Sequence, residues 1–174
     1  MKNKLLKGFT LIELLIVIAL LGALAVGLLA ALDPFEQLKK GNDTSVRNLV
    51  SEVHGSVIRY YALKSMMPYC DDVACASDTL PSGDALTTTT MSTAIESIVT
   101  TGELKSNFQS LAGNNLQRVF TTGTSDSVRV CFQPTSKSFR CDPNTKYTQY
   151  GVEDAVNCPG ATCGTMSTCY WCVQ

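Results

Sequence analysis

The residues best equipped for chemistry are eight cysteines, one histidine and one carboxylate set in an apolar run. The cysteines are Cys70, Cys75, Cys131, Cys141, Cys158, Cys163, Cys169 and Cys172. Eight thiols allow many pairings, so spacing alone does not choose among them. Cys158-x4-Cys163-x5-Cys169-x2-Cys172 presents four thiols, and its last pair has a zinc-ligand spacing. Cys169-Tyr170-Trp171-Cys172 also has the outline of a redox pair, but without the strand-and-helix setting that lowers a thiol pKa. Asp71 and Asp72, between Cys70 and Cys75, are too few carboxylates for a calcium cage. The lone His54 has no Ser or Cys placed to use it as a base and reads as a surface or boundary residue. No catalytic constellation and no cofactor is implied.

Glu13 is the more unusual residue. From Phe9 to Leu32 only Thr10 and Glu13 are strongly polar. As a helix, 24 residues at about 1.5 Å each reach about 36 Å, enough for a hydrocarbon core of about 30 Å. Lys2, Lys4 and Lys7 precede the run with no acidic residue, so the positive-inside bias holds the N-terminus in the cytoplasm. Residues 33–174 then lie across the membrane, and with them every cysteine, where disulfides form and persist. That compartment favours disulfides over zinc. A signal peptide cut near Ala23-Leu24-Ala25 and a permanent anchor both fit the length. Neither explains an acidic side chain four residues into the run, which costs a few kcal/mol in a bilayer.

Lys7-Gly8-Phe9-Thr10-Leu11-Ile12-Glu13, followed by Leu14-Leu15-Ile16-Val17-Ile18-Ala19, closely resembles the N-terminus of type IV pilins and the related pseudopilins. The resemblance implies cleavage of the Met1–Gly8 leader by a prepilin peptidase between Gly8 and Phe9. It also implies N-methylation of Phe9, and assembly through the apolar helix, with help from an inner-membrane platform. The partners it implies are copies of this chain and related pilins in a helical filament, with membrane lipid around the helix beforehand. Cleavage removes three lysines and leaves 11 basic against 15 acidic side chains, with a new ammonium on Phe9. Inside a bundle of apolar helices Glu13 needs a cation, and a neighbour's Phe9 ammonium is the nearest candidate. At 4 Å and an effective dielectric near 20, that attraction is about 4 kcal/mol before desolvation. Such a pair fixes axial register more than it adds stability. The alternative for Glu13 is a carboxylate that snorkels to the headgroups without a partner.

The rest of the chain must position this helix. Asp33-Pro34-Phe35-Glu36 reads as a helix start, with Asp33 as N-cap, Pro34 at the first position and Glu36 closing a capping box. Pro34 also predicts a break around residues 30–34; many pilins bend at a proline where this chain has Ala30. Val46, Leu49, Val50, Val53, Val57, Tyr60 and Tyr61 predict an amphipathic helix to about Lys64. Gly41 is a candidate interruption there, with Asn42 or Asp43 as a new cap. Residues 68–90 read as a linker, Met91–Leu104 as a short helix, and Arg118–Thr122 and Ser127–Gln133 as strands. Phe139–Cys141 reads as the return strand of a hairpin across Pro134–Lys137, which sets Cys131 opposite Cys141. Cys70–Cys75 is the second expected bridge, with Cys158, Cys163, Cys169 and Cys172 pairing among themselves in an irregular tail.

The expected fold is α+β: a long N-terminal helix, its apolar half transmembrane, packed on a small antiparallel sheet with a disulfide-tied C-terminal tail. The expected division is a 1–8 leader, a 9–32 membrane and filament-core helix, and a 33–174 extracytoplasmic domain. The sequence supports a structural subunit, first a single-pass inner-membrane precursor and then part of an extracellular or envelope filament. A pseudopilin of a type II secretion or DNA-uptake machine is the alternative. More distant is a membrane-anchored or secreted disulfide-rich binding module. Net charge −1 and pI ≈ 5.8 give no basic footprint, and nucleic-acid binding is left unassigned.

Overall fold

The computed structural model describes residues 8–31, 33–76, 80–158 and 168–174. The chain divides into a unit ending at Gln37 and a second unit, Leu38–Gln174.

In the first unit, helix α1 spans Leu11–Ala31. Its 21 residues reach about 32 Å at about 1.5 Å per residue, still a full hydrocarbon thickness. From Leu11 to Leu29 every side chain is exposed. Helix α2, Pro34–Lys64, starts at the proline. Asp33 caps it by accepting the Glu36 amide at Oδ1 (3.3 Å). Proline has no N–H to continue the α1 ladder, which accounts for the break between the helices; Leu32 lies outside the described residues.

In the second unit α2 presents Val46, Val50, Val53, Val57 and Tyr60 to the core, at alternating four- and three-residue steps. The four valines are fully buried, each worth about 1.5–3 kcal/mol in removed apolar surface. They meet helix α3 (Thr89–Thr100), Phe108 of helix α4 (Phe108–Ala112) and one face of a sheet. The sheet is β1 (Ser82–Ala85), β2 (Val119–Gly123), β3 (Val128–Phe132), β4 (Thr145–Tyr147) and β5 (Tyr170–Val173). Its order is β1-β2-β3-β5-β4, antiparallel throughout. Val119, Val130, Phe132 and Trp171 face the helices. Cys131, Tyr147, Tyr170 and Cys172 form a small cluster on the outer face, where Phe120 meets Tyr170 edge-on.

Several expectations are corrected here. Gly41 does not interrupt α2, and Asp43 is not a new cap. Asp43 turns inward instead, fully buried, and accepts from Thr135 N (2.8 Å), Thr135 Oγ1 (2.8 Å), Ser136 N (2.7 Å) and Arg118 Nη2 (2.9 Å). That clamp holds the chain after β3 against α2, so no β3–139 hairpin forms. Residues Lys137–Arg140 are a helical turn, α5, with the Ser136 hydroxyl accepting the Phe139 amide (3.4 Å). The edge of β3 thereby left open is filled by β5, a strand within the stretch expected to be irregular. The 68–90 linker likewise contains β1. At its start the Tyr69 hydroxyl sits between the carbonyls of Thr124 (2.8 Å) and Ser127 (3.1 Å). Gly123 makes room for that phenol, because a Cβ there would lie 2.2 Å from its oxygen.

Burial works against ionising Asp43, yet the Ser136 amide, the Thr135 hydroxyl and the Arg118 guanidinium outweigh it and hold the carboxyl below its ordinary pKa. The clamp's contribution is therefore complete above the ordinary carboxyl value of about 3.9 and is lost as pH falls through the lower folded value. Asp43→Ala leaves Arg118 and two amides without their acceptor and lowers stability by about 3–5 kcal/mol in urea unfolding of the detergent-solubilised chain. Asp43→Asn flattens the acid limb of the stability–pH profile; an unchanged limb would show that the clamp does not carry it.

Candidate functional site

The Gly8–Phe9 peptide stands outside any helix, two residues ahead of α1, with Phe9 83% exposed. Among the described residues a Cβ on Gly8 would meet nothing within 4 Å.

Immediately after it, Thr10 and Glu13 close on each other. Glu13 Oε2 accepts from the Thr10 amide (2.9 Å) and the Thr10 hydroxyl (2.8 Å), while Thr10 Oγ1 faces the Glu13 amide (3.3 Å). This is a reciprocal capping box, with Thr10 as N-cap and Glu13 three residues on. It satisfies amides that a helix start leaves unpaired, and it puts a negative charge at the positive end of the helix dipole. Neither snorkelling nor an intersubunit partner requires Thr10. The spacing Thr10-x-x-Glu13 was nonetheless legible in the sequence, being the same signal that marks Asp33 and Glu36.

The cysteines are distributed differently from the expected pairing. Cys70 bonds Cys75, and Cys158 bonds Cys169. Cys131 bonds Cys172, not Cys141. The reason is the register: Cys131 and Cys172 are direct partners on β3 and β5, their Cα atoms 4.1 Å apart, whereas Cys141 follows the α5 turn. The tail cysteines therefore do not pair only among themselves. Cys141 is also disulfide-bonded, and Cys163 lies outside the described residues. Cys169 and Cys172 belong to two different bridges, which leaves neither a dithiol for redox exchange nor thiolates for zinc. His54 is half-buried, and burial lowers its pKa. It lines a cleft with Ile58 and the β2–β3 turn residues Thr124 and Asp126.

An exposed, non-helical Gly8–Phe9 peptide precedes a carboxylate-capped apolar helix that suits a membrane-anchored precursor, and a disulfide-bonded α+β unit follows. Residues 5–29 match the prokaryotic N-terminal methylation motif, the type IV pilin and pseudopilin signature. The chain thus carries, over residues 5–29, the N-terminal signature of type IV pilin-like and pseudopilin proteins. No curated protein and no solved structure matches it.

The cap can be tested apart from any assembly. Thr10→Ala loosens the first turn of α1 by about 1 kcal/mol, read as faster amide exchange at Leu11–Leu14 in micelles. Unchanged exchange there would mean that the box contributes nothing.

Proposed function

We propose that this chain is the structural subunit of a type IV pilus-like filament. It is exported, cut after Gly8 by a prepilin peptidase, N-methylated at Phe9, and assembled through α1. Before assembly the inner membrane covers the helix, and an assembly platform draws it out. Afterwards copies of this chain and related pilins cover it. The observation that carries this reading is a membrane-length apolar helix, exposed along its length, beginning two residues after an accessible Gly8–Phe9 bond inside the matched motif.

Glu13 has two jobs in this account. Its Oε2 caps its own helix through Thr10, and the carboxylate's charge remains to meet a neighbour's Phe9 ammonium. The capping box fixes the carboxylate in one rotamer, so the register-setting charge is presented without further ordering cost. The bridges at Cys70–Cys75, Cys131–Cys172 and Cys158–Cys169 favour a surface-exposed filament over a short periplasmic one, since exposed subunits meet more proteolysis and shear.

Mass spectrometry of the mature chain should find methylated Phe9 at its N-terminus; an intact Met1 or a start near Ala25 would refute the reading. Gly8→Glu should accumulate as unprocessed membrane protein with its fold unchanged, because among the described residues a Cβ there meets nothing within 4 Å. Glu13→Gln separates the two jobs, since glutamine also closes a capping box but carries no charge. It should be processed normally and yield few sheared filaments. Wild-type yields from Glu13→Gln would remove the ion pair from the account.

A further inference from the structure

The polar stretch that follows α1 holds two exceptions. From Asp33 to Ser45 only Phe35 and Leu38 carry large apolar side chains, and they are 72% and 71% exposed. They stand three residues apart in the first turns of α2, which puts them on one side of that helix. Exposure on this scale means that neither serves the valine core.

Their position along the chain says what lies beside them. At about 32 Å, α1 is matched to a hydrocarbon core of about 30 Å, so its end at Ala31 marks the edge of that core. Phe35 comes soon after, its Cα within about 14 Å of Ala31 at whatever angle the helices meet. From Pro34 to Leu38 α2 rises only about 6 Å. An interfacial helix buries its apolar side about 5–10 Å into the boundary of headgroups and acyl chains, and Phe and Leu are among the residues it uses. Asp33 and Glu36 balance Lys39 and Lys40 in formal charge, so the neighbourhood selects no lipid charge and the contact is apolar.

We propose that Phe35 and Leu38 seat the first turns of α2 in the headgroup–acyl boundary of phospholipid, on the outer face of the membrane that α1 crosses. The contact has a task that α1 cannot perform. After Glu13, α1 has no charged or hydroxyl side chain to fix its depth, and leader cleavage takes away Lys2, Lys4 and Lys7 at its cytoplasmic end. Phe35 and Leu38 then hold the mature precursor at one depth before assembly. The proposal rests on the membrane-precursor part of the filament reading and adds to it a lipid contact outside α1.

The test uses the full-length chain in phosphatidylcholine vesicles whose acyl chains carry bromine, a short-range quencher of tryptophan, near either the glycerol or the methyl end. The emission of Trp171 in the unaltered chain is subtracted. Phe35→Trp and Leu38→Trp should lose most emission to bromines near the glycerol, and Leu20→Trp, at the middle of α1, to those near the methyl end. Asn48→Trp, about 15 Å further along α2 than Leu38, should keep its emission with both. Quenching of Leu20→Trp, with Phe35→Trp and Leu38→Trp no dimmer than Asn48→Trp, would overturn the boundary contact and leave the anchor standing. A blue-shifted but unquenched Phe35→Trp would overturn it too, placing a second copy where lipid is expected. If Leu20→Trp also escapes quenching, the membrane reading fails first and the contact with it.

Discussion

The governing constraint is that α1 is apolar and, among the described residues, exposed along its length. From Leu11 to Leu29 its side chains are exposed, among them Leu14, Leu15, Ile16, Val17 and Ile18, each at about half or more of its surface. With about 1.5–3 kcal/mol at stake for each large apolar side chain, leaving the helix in water costs more than the whole stability of an ordinary domain. The helix must therefore sit in lipid or among other apolar helices. The second unit is free of this demand. It buries its own valines, aromatics and methionines and needs no help from α1 to form a core.

Two carboxylates solve related problems in different ways. Asp43 is taken fully out of water, and its charge is matched by a guanidinium, two amides and a hydroxyl. A buried ion with that many donors is costly to break, and this one decides the path of the chain after β3. Among the described residues Glu13 is matched by a single threonine, at the start of α1. The first arrangement is complete within one molecule. The second is a helix cap, and among the described residues no cation faces it.

The features legible in the sequence are those written in local pattern. The valine stripe of α2, the Asp33 cap, the α3 helix and the β2 and β3 strands each depend on residues within a turn or two of one another. What failed depends on contacts far apart in the chain. Asp43 and Ser136 are 93 positions apart, and without that contact the stretch from Pro134 to Cys141 reads as a hairpin. β1 is Ser-Gly-Asp-Ala, with no β-branched or aromatic residue to announce a strand. β5 carries Tyr170, Trp171 and Val173 and has the composition of a strand, yet it sits in a stretch rich in glycine and cysteine that reads as an irregular, disulfide-tied tail. The Thr10–Glu13 box was overlooked for a different reason, since an acid in an apolar run invites a search for a distant partner before a neighbour.

β5 also explains why the cross-links gather where they do. It is four residues long, it lies between β3 and β4, and among the described residues it is the only strand with which β4 pairs. If β5 leaves, β4 loses its ladder and the core loses Trp171, which packs on Phe132 and lies 4.8 Å beneath the Arg47 guanidinium. A strand this short, arriving last in the chain, is held only weakly by its own hydrogen bonds. Cys172 ties its middle to β3, and Cys169 ties its approach to the turn after β4. The strand and its approach are therefore each covalently tied. This keeps β5 in the sheet when the rest of the domain is strained.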